Sequence, residues 1–254
     1  MLSFSSAALD AWLAGVFWPL ARILALCSSA PVLANPAVPR RVRVGFAAVL
    51  TVLVVPTLPA PPPIPLASVA GLLLLAEQVA IGVAIGFAMR LVLAAVELAG
   101  STIGLQMGLG LATLFDPQNG AQSPVMGSFL GFFATLVFLA IDGHLLLVDA
   151  LVRSFAAFPV ATGGLAIGEA SRIAALGATL FTIGLHLALP VLAAMLVTNL
   201  ALGVLTRSAP QLNLFSVGFP AALLVGFAAL TLSLPSITAA MERYLLAGVS
   251  LVVP

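Results

Sequence analysis

Residues Val69–Met89 read VAGLLLLAEQVAIGVAIGFAM, an apolar run with one carboxylate, Glu77, and no proline. A helix needs about 20 apolar residues to cross a hydrocarbon core, and this run supplies them. It passes into a more amphipathic stretch, Leu91–Gly104, so the same helix is expected to outrun one bilayer thickness. Runs of the same kind flank it. A first helix is expected from about Ala11 to Leu33, interrupted softly by Pro19 and Arg22 and ended by Asn35-Pro36-Ala37-Val38-Pro39. A second spans about Val42 to Leu58 and stops in Pro59–Pro65, a stiff polyproline turn without charge. A fourth spans about Val125 to Leu151, a fifth Ile173 to Leu205 and a sixth Leu214 to Leu234. The expected architecture is therefore all-α, a polytopic membrane protein of about six long, partly kinked helices.

Composition agrees. Of 254 residues, 62% are hydrophobic and 7% charged, whereas a soluble domain carries roughly a quarter charged residues. Lipid or other apolar helices must therefore cover most of the surface. All nine basic residues are arginine, and the net charge of +1 provides no basic stripe for a nucleic acid. The single cysteine, Cys27, can form neither an intrachain disulfide nor a zinc site, and reads as a small core hydrophobe. Val32-Leu33-Ala34 resembles a signal-cleavage site, but Asp10 precedes the run and Arg22 interrupts it, so a retained helix is expected.

Arg40, Arg41 and Arg43 cluster between the first two spans, which marks that loop as cytoplasmic. Six spans would then put both termini outside. Arg153, Arg172 and Arg243 each stand near an acid, Asp149, Glu169 and Glu242. Glycines four apart (Gly82 and Gly86; Gly100, Gly104 and Gly108; Gly127 and Gly131) put small residues on helix ridges where backbones can approach closely.

Ionisable groups inside apolar helices are the first functional candidates. Asp142 and His144 flank Gly143, and His titrates near neutrality. Two residues apart on a helix they face different ways, so a structural role at a helix end is favoured over a proton relay. His186 precedes Pro190 and is expected to bond a freed carbonyl; Asn199 reads as interhelical glue. No metal-ligand spacing, phosphate loop or nucleophile elbow is present. No cofactor and no enzymatic activity are expected.

The least regular stretch is Leu105–Pro124, LQMGLGLATLFDPQNGAQSP, which turns at Asp116-Pro117-Gln118-Asn119-Gly120. Non-helical backbone at membrane depth survives only when buried in protein or lining a cavity. The segment reads either as a plug or gate or as an ordinary interhelical loop, and helix physics alone does not choose.

Several blocks resemble the FliR/SctT family of type III secretion export-gate proteins. These are Ile103–Gly108, Phe115-Asp116-Pro117, Pro124-Val125, Phe138–His144, Ser154-Phe155 with Pro159, and Arg207–Pro220. Together they cover about Ile103 to Pro220; the first hundred residues match only in hydropathy and helix layout. The Asp-Pro and Ala-Pro-Gln-Leu-Asn elements are shared with the virulence branch, while Asp142-Gly143-His144 and Val217–Pro220 look more like the flagellar branch. The resemblance implies a single-copy subunit that joins FliP and FliQ in the flagellar basal body of the bacterial inner membrane. Unfolded rod, hook and filament subunits would pass through the channel, with FlhB around its cytoplasmic entrance. It implies one export-gate domain over residues 1–254, a FliP-like part over 1–172 and a FliQ-like hairpin over 173–254. Family gates sit largely above the bilayer plane, which would account for the overlong helices.

By the same resemblance the family's plug maps to about Gly108–Gln122. Gly108, Gly110 and Ala112 would let it fold compactly, while Met107 and Phe115 would seal. Asp116 and Pro117 would turn the chain, and Gln118, Asn119 and Gln122 would bond neighbouring subunits while the gate is closed. Pro210, Gln211 and Asn213 would form the hairpin turn and its subunit contacts, and Asp142 and His144 would be structural. A secondary transporter is the reading from another class. It would use Asp142, His144 and His186 at midplane and predicts inverted internal symmetry, which the sequence does not display.

Overall fold

A computed structural model describes residues 6–59, 62, 64–66, 68–110, 124–160, 167–209 and 217–252. Its described residues are mostly helical, with no strand among them. Helix α1 covers Ser6–Ser29, α2 Arg40–Val54 with a 3-10 turn at Val55–Thr57, α3 Val69–Gln106, α4 Val125–Ala140, α5 Gly143–Ala157, α6 Ile167–Ser208 and α7 Phe219–Val252.

Among the described residues three helices are long and apolar enough to cross a bilayer: α3, α6 over Gly177–Ser208, and α7 over Phe219–Gly248. The broken pair α4 and α5 makes a fourth if it counts as one span. Among the described residues the expected six are thus reduced, and α2 is the run that yields a markedly shorter helix. Helix α1 has 24 residues, whereas the 15 residues of α2 rise about 22 Å against a core of about 30 Å. Conversely the 38 residues of α3 rise about 57 Å, beyond one bilayer thickness as their sequence suggests. Prolines do not stop these helices: Pro19, Pro190 and Pro235 lie inside α1, α6 and α7.

The chain groups into two compact units. The first comprises Met1–Leu91, Asp142–Leu176 and Leu245–Pro254; the second comprises Val92–Ile141 and Gly177–Tyr244. In the first, α3 lies directly on α1 at the Gly82/Gly86 ridge. A Cβ at Gly82 would fall on the Arg22 carbonyl oxygen and within 2.9 Å of Ala25 Cβ, and one at Gly86 would strike Ser29 Oγ. Beside this seam Ala14, Trp18 and Leu74 form a buried cluster with Ile64, Leu66 and Val160 packed on it. In the second unit α3 meets α4 the same way: a Cβ at Gly100 would lie 2.5 Å from the Met126 carbonyl oxygen, and one at Gly127 would strike Ser101 Oγ. The ridge spacing legible in the sequence is the spacing of these seams.

Candidate functional site

Helix α3 ends where the proposed plug begins, and the stop is built from backbone. Gly108 takes φ +81°, a left-handed conformation that costs a side-chain-bearing residue roughly 1–2 kcal/mol. Its N–H donates to the Leu105 carbonyl (3.1 Å), and the Leu109 N–H donates to the Gly104 carbonyl (3.0 Å). This pair of bonds is the Schellman motif, which satisfies carbonyls that a helix end would otherwise strand. Gly108 therefore stops the helix, a more specific task than compactness. Met107, one residue earlier, is 1% exposed. It fills the space over Gly226 of α7, where a Cβ would come within 2.7 Å of Met107 Cγ. The ring of Phe219 lies against Gly108 from the same helix. The first turn of the segment is thus pinned to α7, and Gly110 folds back to within contact of the Leu105 side chain. Ala112, Phe115, Asp116, Pro117, Gln118, Asn119 and Gln122 lie outside the described residues, as do Pro210, Gln211 and Asn213.

Asp142 stands at the break between α4 and α5, with φ +57°. The carbonyl of Asp142 accepts from the N–H groups of Leu145 (2.8 Å) and Leu146 (3.1 Å), while its carboxylate makes no capping bond. Both Asp142 and His144 are exposed. His186 is exposed too, and among the described residues its ring does not make the expected bond to a freed carbonyl. Asp149 and Arg153, neighbours in the sequence reading, form an exposed ion pair at 2.9 Å.

The polar centre that sequence reasoning passed over is Arg22, which reads in the sequence only as an interruption of α1. It is 0% exposed. Its Nε and Nη2 both donate to Gln78 Oε1 (2.9 and 2.5 Å), Nη1 donates to the Ser154 carbonyl (2.9 Å) and to Ser154 Oγ (3.2 Å), and Nη2 also donates to the Phe158 carbonyl (2.8 Å). The guanidinium lies 4.2 Å over the Phe155 ring. The close approach at Gly82 brings α3 near enough for Gln78, one turn earlier, to meet Arg22. At its other side the guanidinium caps the C-terminal end of α5, where the helix dipole favours a cation, and shares the Ser154 carbonyl with the Phe158 N–H. Each planar donor edge is used, as suits arginine rather than lysine. Arg22 thus ties α1, α3 and α5 together. The available sequence signal was a cation, Arg22, alone in one apolar run, and a polar pair, Glu77-Gln78, in another.

Among the described residues no group of three His, Cys, Asp or Glu side chains is arranged to hold a metal. The polar features are a helix stop, a helix break and a buried structural arginine, all built to hold helices in register.

The family described as Bacterial export proteins, family 1, matches residues 13–247, and the chain belongs to it. Relatives that the chain resembles over most of its length are named Flagellar biosynthetic protein FliR. The chain is 45% identical to the one from Pectobacterium carotovorum subsp. carotovorum over 237 residues, which cover 93% of this chain and 90% of the relative. It is 41% identical to that of Escherichia coli (strain K12) over 243 residues, 96% of this chain and 93% of the relative. The Bacillus subtilis (strain 168) relative is 35% identical over 209 residues, 81% of this chain and 80% of the relative. The protein is accordingly a membrane-embedded component of the flagellar export apparatus, and not an enzyme. The flagellar branch is the right one, and the virulence and transporter readings fall away.

Proposed function

We propose that this chain is a subunit of the flagellar export channel, assembled with FliP-like and FliQ-like subunits in the bacterial inner membrane. An FlhB-like protein borders the cytoplasmic entrance, and unfolded flagellar proteins are the cargo. Residues 1–172 are the FliP-like part, and 173–254 the FliQ-like hairpin, turning through Pro210, Gln211 and Asn213. Residues 108–122 are the plug, with Phe115 sealing beside Met107 and Gln118, Asn119 and Gln122 bonding neighbouring subunits while it is closed. Asp142 and His144 keep a structural role at the α4–α5 break.

One observation supports the plug most directly. A helix of 38 residues is stopped at Gly108 by a Schellman motif, and Met107 is anchored on α7 at that point. A loop that must move independently of a rigid wall needs a sharp helix stop and a fixed root, and this end of α3 supplies both. The test is deletion of Gly110–Phe115, which leaves the root in place. The deletant should co-purify with its partners and raise ion leak across the inner membrane. Unchanged conductance in an assembled deletant refutes the plug. Native mass spectrometry of the tagged chain co-expressed with the FliP-like and FliQ-like proteins tests the assembly: one copy in a hetero-oligomer is expected, and a monomer or homodimer that ignores them refutes it.

A further inference from the structure

Helix α2 is electrostatically at odds with itself. Arg40, Arg41 and Arg43 occupy its first turn, with no acid there, at the end where the helix dipole already places positive charge. Between Asp10 and Glu77 the chain has four arginines and no acidic residue, so no neighbour in sequence offsets them. Arg22, the fourth, is buried and fully engaged. Arg43 is partly engaged: its Nε donates to the Leu33 carbonyl at 2.9 Å and its Nη2 to the Asn35 carbonyl at 3.4 Å. Arg40 and Arg41 are exposed, and among the described residues their side chains have no hydrogen-bond or ion-pair partner. Two cations are thus held against their own helix dipole with no partner among the described residues to balance them.

The other end of α2 is apolar on both sides. Ala47, Leu50, Thr51 and Val54 face the protein, while Val49, Val52 and Leu53 are 59%, 71% and 66% exposed. From Arg41 to Val52 the helix rises about 16 Å, close to half of a hydrocarbon core of about 30 Å. A cationic end and an apolar end at that separation match the passage from phosphate headgroup to acyl chain. The helix is too short to span, yet its exposed flank is too apolar for water.

We propose that the Arg40–Arg41 end of α2 binds the headgroups of anionic phospholipids, with Val49, Val52 and Leu53 set among their acyl chains. Arg43 holds the preceding loop in place and presents the other two. The site would seat the chain at a defined depth in one leaflet.

The test compares phosphatidylglycerol with phosphatidylcholine of identical acyl chains, each titrated into the full chain in detergent and read by native mass spectrometry. Each basic residue near an anionic surface contributes about a fivefold gain in affinity. The wild type should therefore prefer phosphatidylglycerol, and Arg40→Gln/Arg41→Gln should weaken it by roughly 30-fold while leaving phosphatidylcholine unchanged. Arg40→Lys/Arg41→Lys should retain most of the preference, and Arg153→Gln, whose arginine already has Asp149, should change nothing. If the glutamine variant does not fold, the wild type still decides, since its preference should fall as ammonium acetate is raised. Equal binding of the two lipids by the wild type overturns the proposal. So does a glutamine variant that keeps its lipid but loses a co-purified protein subunit, because the arginines would then serve a protein contact.

Discussion

Replacing Arg22 by methionine keeps an unbranched chain of similar reach and removes the guanidinium. Gln78 Oε1 then loses both donors, and the Phe158 carbonyl loses its donor. The Ser154 carbonyl keeps the Phe158 N–H at 2.9 Å. A buried acceptor left unpaired costs roughly 1–3 kcal/mol, and loss of the cation over Phe155 adds about 0.5–2 kcal/mol. Relief of the desolvation of a buried cation works the other way. The Phe158 carbonyl, at a half-buried helix end, can recover a water. The net expectation for Arg22→Met is a loss of roughly 2–3 kcal/mol. Gln78→Leu should be worse, because it leaves a buried charge without its main acceptor, at roughly 3–5 kcal/mol. The double variant removes donor and acceptor together, so its cost should fall below the sum of the singles by roughly 2 kcal/mol. The assay is built into the chain. Cys27, its single cysteine, is 0% exposed on α1, five residues after Arg22. Its rate of labelling by a maleimide in detergent under native conditions reports how often this unit opens. A loss of 2 kcal/mol should speed labelling by roughly 30-fold. Labelling of Arg22→Met within twofold of wild type, or strict additivity in the double variant, would refute the picture of Arg22 as the tie between three helices.

Other expectations follow from the seams and the helix stop. Gly108→Val should lower the thermal midpoint in detergent and loosen Met107, at a cost of roughly 1–2 kcal/mol, whereas Gly108→Asn should cost less because asparagine tolerates the left-handed region. Equal midpoints for the two variants would count against the Schellman stop. Gly82→Leu should block accumulation of folded protein, since its side chain would enter the space of Arg22 and Ala25. Gly203→Ala, where no atom lies within 4 Å of the added Cβ, should be neutral or stabilise the purified chain by up to about 1 kcal/mol. Similar yields for Gly82→Leu and Gly203→Ala would show that the ridge is not a close seam.

The membrane class, the helical architecture and the approximate place of most helices were legible in one dimension. Apolarity over 20 residues and proline-rich breaks are local properties, and lipid is the only solvent that tolerates them at this density. The glycine ridges were legible for the same reason, because four-residue spacing selects one helix face. The signature blocks from Ile103 to Pro220 carried the family. Less was visible of the second helix. Apolar length alone counts Val42–Leu58 as a span, but α2 ends at Val54 in a 3-10 turn through Val55–Thr57 that includes Pro56. At Gly108 the sequence showed a small residue, and only the backbone torsion showed that its task is to end α3.

Sequence by itself determined that the chain is built of long apolar helices, that they belong in a bilayer, and that the chain is one of the bacterial export proteins. Tertiary structure alone decided what Arg22 does, because Gln78 is 56 positions away and Ser154 and Phe158 are 132 and 136. A cation in an apolar run is costly wherever it stands. Whether it is a break, a lipid contact or a keystone depends on which distant acceptors the packed helices bring to it, and local sequence does not encode that distance.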